Sequence, residues 1–321
     1  MNPSVSINLC CYNSEKYLRE TLESIAAQTY TDWELVVIND GSTDSTESIV
    51  SEFRDRKYPV IYHYQENKGL GVSRNEALRL SRGDYIAFID HDDIWMPEKL
   101  ELQLNALNKD PIIPLVYTDG YFINDQGMHI EKFFDKMKPF RGQVFKKLLL
   151  ETPIALSSVV VNKSVFNDIG YFNPSFSISE EYDLFLRLTL KYDIDYIEKP
   201  LVKYRLHEGN TMKKFDILYN EVLQIFTYWL GEKIDSDIKD TVKRALLKES
   251  LKCATHEVIK NKNVTRAFHR FTQALPVIDM SVPQLIYYIS GFYISHLKSG
   301  SFFHIKKYFL QLRQKYAGLY C

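Results

Sequence analysis

Tyr85-Ile86-Ala87-Phe88-Ile89 is a flat, β-prone apolar run, and it ends in Asp90-His91-Asp92-Asp93. Three carboxylates in four residues repel one another, and a strand end gives no packing reason to gather them. A hard divalent cation is the economical explanation. The bland alternative is a solvated acidic loop in which Asp93 caps the helix opened by Pro97, whose apolar face carries Leu100, Leu104 and Leu107. In an open α/β sheet, ligands bind outside the carboxyl ends of the strands, and an oxygen-ligated ion there usually serves a phosphate.

A plan of apolar strand, polar turn and amphipathic helix recurs three times before this run. Val5 to Cys11 leads into Tyr12-Asn13-Ser14 and a helix bearing Tyr17, Leu18, Leu22 and Ile25. Trp33 to Ile38 leads into Asn39-Asp40-Gly41-Ser42 and a helix bearing Ile49, Val50 and Phe53, with Ser42 and Asp44 suited to its amino end. Val60 to Tyr64 leads into Asn67-Lys68-Gly69-Leu70-Gly71 and a helix bearing Arg74, Asn75, Ala77 and Leu78. Continuous apolar strands alternating with helices predict an α/β protein with a mostly parallel sheet covered on both faces. Gly69 and Gly71 alone make no dinucleotide fingerprint.

After this the predicted elements are shorter: a strand over Leu115 to Ile123, a helix over Gln143 to Leu150 and a strand over Leu156 to Val161. Ser179-Glu180-Glu181-Tyr182-Asp183 then sets acids at the start of an amphipathic helix, on which Asp183 and Arg187 are spaced for an ion pair. Asp195 to Arg205 is strand-like and ends at His207.

The chain has 321 residues, 45% of them hydrophobic and 25% charged, with a formal net charge of -1, the balance of a soluble globular protein. Cys10, Cys11, Cys253 and Cys321 show no metal-ligand spacing, and the vicinal pair cannot easily bridge. The amino terminus lacks the regions of a signal peptide, and no apolar run reaches bilayer length, so a cytoplasmic location is expected. From Lys243 onward thirteen basic residues face only Glu249, Glu257 and Asp279, and are mixed with Ile286 to Tyr293, Phe302, Phe303, Tyr308, Phe309 and Leu312. Two readings stay open for this helical tail: peripheral contact with the anionic inner face of the plasma membrane, or a packed helical region that covers the sheet or forms a homodimer. No nucleic-acid recognition module is present, so no nucleic-acid partner is expected.

Cys11-Tyr12-Asn13, Asn39-Asp40-Gly41-Ser42-Thr43-Asp44, Asn67-Lys68-Gly69, Arg74-Asn75, Asp90-His91-Asp92-Asp93 and Glu180-Glu181-Tyr182-Asp183 occur in one order. Together, over about the first two thirds of the chain, this set resembles the family 2 glycosyltransferases. The resemblance implies the GT-A fold, a Rossmann-like, mostly parallel mixed sheet flanked by helices. Beyond Thr211 the pattern is mainly helical, with Pro276 and Pro283 as breaks, which divides the chain into a catalytic domain, 1–210, and a helical C-terminal region, 211–321. Within the domain, 1–110 would bind the nucleotide sugar and 111–210 the acceptor.

The implied reaction transfers a sugar from a nucleotide diphosphate donor, with UDP-sugar first by family frequency, to an acceptor hydroxyl with inversion. A divalent metal, Mn2+ or Mg2+, would offset the charge of the departing diphosphate. By resemblance Asp92 is the direct metal ligand, Asp90 lies near the ribose or the metal, and His207 lies near the metal or diphosphate. Asp40 would accept a hydrogen bond from the base, with Tyr12 or Asn13 lining the same slot; Lys68 and Arg74 are candidates for phosphate or base-edge contacts. Glu181 is aligned with the general base, one methylene longer than the usual Asp, and Glu180 is the alternative. The implied partners are a nucleotide-sugar donor and a glycan or lipid-linked glycan acceptor, in bacterial surface polysaccharide, lipooligosaccharide or glycoprotein glycan synthesis. The rival readings are a metal-dependent phosphohydrolase and a non-catalytic nucleotide-sugar-binding or scaffold subunit.

Overall fold

Strand β1 (Val5–Cys11), helix α1 (Leu18–Ala26), β2 (Trp33–Asp40), α2 (Thr46–Asp55), β3 (Val60–Gln65), α3 (Leu70–Leu80) and β4 (Tyr85–Asp90) follow one another as the apolar periodicity requires. The four strands pair in parallel in the order β3-β2-β1-β4. Every residue of β2 is buried, which is why its centre, Leu35 to Ile38, reads as an uninterrupted apolar run. Ile7, Leu9, Leu35, Val37, Ala87 and Ile89 form one core with Leu22, Ile49, Phe53, Leu100 and Leu104. Val36, Ile38 and Ala77 form a smaller core on the other face. Each fully buried side chain of this kind contributes roughly 1.5–3 kcal/mol. Parallel pairing also brings the turns at Tyr12, Asp40 and Asp90 to one edge, because β1, β2 and β4 run in register.

Beyond Asp90 come β5 (Ile94–Trp95), α4 (Lys99–Lys109), β6 (Leu115–Ile123), β7 (His129–Lys132), α5 (Phe133–Lys136) and α6 (Phe145–Leu148). After a 3-10 turn over Leu156–Ser158 follow β8 (Val160–Asn162), α7 (Val165–Ile169), α8 (Glu180–Lys191) and β9 (Asp195–Arg205). The sheet continues as β4-β8-β6-β9-β5, with β7 paired to β6. β8 is antiparallel to both β4 and β6, whereas β6 and β9 are parallel. The result is the mixed, mostly parallel GT-A arrangement. At Gly120 in β6 a Cβ would stand 2.5 Å from the Phe133 ring and 2.8 Å from the Val202 carbonyl oxygen, so only glycine admits this packing.

Three local expectations are corrected. The helix after the acids starts at Lys99, not Pro97, because Ile94 and Trp95 first pair with Lys203 and Val202 of β9. The stretch predicted as a strand over Leu156 to Val161 begins as the 3-10 turn. Its Ser157 hydroxyl and carbonyl oxygen accept from the Asp90 N–H (3.0 Å) and the Trp95 Nε1–H (2.8 Å). The helix predicted over Gln143 to Leu150 is a single turn, Phe145–Leu148.

In this computed structural model residues 3–209, 215–259 and 270 are described, and the chain divides into the units Met1–Lys214 and Phe215–Cys321. In the second unit α9 (Phe215–Gly231) packs on α10 (Ser236–Ile259), burying Ile225, Phe226, Trp229, Val242, Leu246 and Leu251. Among the described residues no helix is long and apolar enough to cross a membrane. The sequence readings for Ile286 to Tyr293, Phe302 to Leu312, Pro276 and Pro283 lie outside the described residues.

Candidate active site

Asp90 is the last residue of β4, and the turn beyond it is held by partners distant in sequence. The Thr21 hydroxyl lies 2.9 and 2.8 Å from the carbonyl oxygens of His91 and Asp93. Arg205, 2% exposed, donates through Nε to the Asp92 carbonyl oxygen (3.0 Å) and through Nη2 to Glu20 (2.6 Å). Its backbone N–H donates to Asp93 Oδ1 at 3.0 Å. Asp93 is buried, and its pKa rises well above the carboxylate range through lost hydration, then through Asp92 and Asp90. It belongs to the wall of the turn.

Asp92 lies with Oδ2 2.7 Å from His207 Nε2. His207 leans on the Tyr17 ring at 5.2 Å, and the Gly209 N–H donates to its Nδ1 at 3.1 Å. A carboxylate and an imidazole meet here, with Asp90 two residues before Asp92 and 35% exposed. Among the described residues no group of three or more His, Cys, Asp or Glu side chains could hold an ion by itself. A small set of this kind fits a Mg2+- or Mn2+-like ion whose shell is completed by substrate phosphates and water.

Arg74, from α3, crosses beneath. Its Nη2 donates to Asp90 Oδ1 at 3.0 Å and its Nη1 to Glu180 Oε1 at 2.5 Å, and Nη1 stands 4.0 Å from Glu181 Oε2. The side chains of Arg74 and Glu180 are 5% and 1% exposed. Burial disfavours the Arg74 charge, but Glu180, Asp90 and Glu181 more than offset this, and its pKa rises. Arg74 therefore ties the end of β4 to the start of α8. Glu181 is 31% exposed at the side chain. Lost hydration lifts its carboxyl to about 8 against the pull of Arg74, with Glu180 and Asp90 adding to the rise. Asp183 and Arg187 make the expected helix pair at 2.7 Å.

The remaining candidates surround the ends of β1 to β3. Tyr12 is 52% exposed. Asn13 adopts φ +48, a conformation Asn tolerates. It joins the first two turns, accepting from the Thr43 N–H at 2.9 Å and donating its own N–H to Ser42 Oγ at 3.0 Å. Asp40 Oδ1 accepts from Gln65 Nε2 (2.7 Å) and the Lys68 N–H (2.9 Å), and Oδ2 from the Gly69 N–H (2.9 Å). Asp40 thus moulds the turn that presents the exposed Lys68 side chain. Gly41 needs its φ of +79, and a Cβ there would meet the Asn67 backbone N at 2.8 Å.

Sequence reasoning gave roles to none of Thr21, Ser157 and Arg205. Only the adjacency of Arg205 to His207 was visible as a signal.

A Rossmann-like half that gathers three turns at one sheet edge, joined to a mixed half that supplies an acidic helix start, defines a GT-A glycosyltransferase architecture. Residues 6–170 match the glycosyl transferase family 2 model, and the chain belongs to that family of enzymes. It is 32% identical to the Escherichia coli UDP-Glc:alpha-D-GlcNAc-diphosphoundecaprenol beta-1,3-glucosyltransferase WfgD, over 73% of this chain and 88% of that relative. Among solved structures, S. aureus TarS 1–349 in complex with UDP-GlcNAc superimposes with a TM-score of 0.64 at 20% identity, covering 99% of this chain and 92% of that one. Mannosyltransferase PcManGT from Pyrobaculum calidifontis, in complex with GDP-Man and Mn2+, gives 0.62 at 16% identity, covering 98% and 86%. These two likenesses speak to the fold.

Proposed function

We propose that the chain transfers a sugar from a UDP-sugar to a glycan or lipid-linked glycan hydroxyl with inversion, using a divalent ion, in the assembly of a bacterial surface glycan. The observation that carries this reading is the convergence of the Asp92–His207 pair and the Arg74-anchored Glu180–Glu181 helix start on the end of β4. The relative WfgD is named for a UDP-sugar donor and a lipid-linked acceptor, and the mannosyltransferase structure holds Mn2+. Residues 1–210 act as the catalytic domain at the cytoplasmic side of the membrane, and 211–321 as its helical accessory region.

Tyr12, Asn13 and Asp40 form the nucleoside slot, and Lys68 meets the diphosphate at its edge. Asp92 and His207, with Asp90 beside them, would hold the ion, and it would supply positive charge against that of the diphosphate. Arg74 fixes both carboxylate clusters and orients the start of α8. Glu181 takes the proton of the acceptor hydroxyl as that oxygen attacks the anomeric carbon from the face opposite the diphosphate. A carboxyl near pKa 8 is well matched to this task at neutral pH. The more buried Glu180, paired to Arg74, serves as its support. The test is release of UDP from a panel of UDP-sugars with and without glycan acceptors. Release that depends on acceptor and stops in Glu181→Gln supports the reading; equal release without acceptor makes the protein a hydrolase and overturns it.

A further inference from the structure

At the opposite end of β4 from the acids lies a cavity of about 480 Å3. From Asp84 to Asp90 the chain runs six residues of strand, so the two places are on the order of 20 Å apart. Tyr171 stands at this cavity, 53% exposed, with its ring 8° from parallel to that of Phe166 at 6.2 Å. Its backbone is clamped on both sides. Gly170, at φ +78, ends α7, and Arg187 Nη2 donates to the Tyr171 carbonyl oxygen at 2.8 Å. The next residue, Phe172, exchanges hydrogen bonds of 2.8 and 2.9 Å with the Asn75 side chain. An exposed ring held this way is preorganised, and binding to it orders little.

The polar lining is specific in what it offers. Among the described residues the Asp84 carboxylate, the Asn167 amide and the Tyr171 hydroxyl have no hydrogen-bond partner. Asn162 spends its Oδ1 on the Ser164 N–H and hydroxyl and keeps its NH2. Lys163 donates from Nζ to the Ser81 carbonyl oxygen at 2.6 Å, which leaves its charge in place. The lining carries one carboxylate, Asp84, and one ammonium, Lys163, and so has no net charge to draw a phosphate or nucleotide. A neutral polyol fits: its hydroxyls both donate and accept, matching a carboxylate and two amides, while its C–H face lies on the ring.

We infer that this cavity is a second sugar site, holding an uncharged stretch of the acceptor glycan away from the reacting hydroxyl. The inference rests on the glycosyltransferase reading. It is tested on the full chain by saturation-transfer NMR with maltohexaose, cellohexaose and chitohexaose, each with and without UDP and the diamagnetic Mg2+. At least one probe gains saturation from the wild type, and UDP does not displace it. Tyr171→Phe binds within about threefold of wild type, and Tyr171→Ala about tenfold or more weaker. Saturation of none of the three, unchanged binding in Tyr171→Ala, or displacement by UDP overturns the inference. UDP signals from the same samples report the donor site separately, so a failure of donor binding is distinguishable from a failure of this one.

Discussion

Replacing Arg74 by Met removes the charge that joins two carboxylate clusters while keeping much of the buried stem. Glu180, 1% exposed at the side chain, would then lose the counter-charge that Arg74 supplies. Breaking a buried pair from one side costs about 3–5 kcal/mol, whereas Asp90, 35% exposed, adds at most about 1 kcal/mol. Taking ~3 kcal/mol and a urea slope of about 2 kcal/mol/M, the unfolding midpoint falls by about 1.5 M. The Trp229→Phe background leaves only Trp33 and Trp95, both buried in the first unit, so fluorescence follows that unit alone. Adding Glu180→Gln to Arg74→Met removes the buried charge and recovers at least ~2 kcal/mol. A loss below about 1 kcal/mol in Arg74→Met, or a double variant no more stable than the single, refutes the argument that this ion pair holds α8 to β4.

Glu181→Gln is expected to lower transfer about 10²–10⁴-fold while leaving UDP affinity within about threefold, as paired kinetics and calorimetry would show. With Glu181 as base and its carboxyl near 8, the wild-type rate should climb with pH and level off above about 8, and the residual rate of Glu181→Gln should lack that limb. The same raised pKa makes the folded protein hold more protons than the unfolded chain between about 4.5 and 8, so stability falls as pH rises through that window. Urea midpoints at pH 5 and pH 8.5 should therefore differ more in wild type than in Glu181→Gln. Arg205→Met should weaken Mn2+-dependent UDP binding about tenfold or more by loosening the Asp92 carbonyl; unchanged binding would show that Arg205 only packs.

The first half of the fold was legible because β1, β2 and β4 lie inside the sheet, where burial on both faces writes predominantly apolar segments such as Leu35 to Ile38 and Ile86 to Ile89 into the sequence. The ends of those strands were legible too, since Asp40 and Asp90 close runs that could not continue as core. The second half was less so. β5 is two residues long and exists because Trp95 is buried against β9, and the 3-10 turn at Leu156–Ser158 follows from the bonds that Ser157 makes to Asp90 and Trp95. Arg205 acts on residues more than 110 positions earlier, a contact no local periodicity reports. The same limit applied to Arg74 and Asp40. Their motif positions were visible, but their engagement with Glu180, Asp90 and the 68–69 backbone came only from the folded chain.

The most direct test of the account is calorimetric titration of UDP, with GDP and dTDP beside it, into wild type and Asp92→Ala in Mn2+, Mg2+ or chelator. The account predicts that UDP binds wild type only with a divalent ion, and that this binding is lost in Asp92→Ala. Absence of binding by every nucleotide under every condition, or UDP binding that persists equally in chelator and in Asp92→Ala, would contradict it.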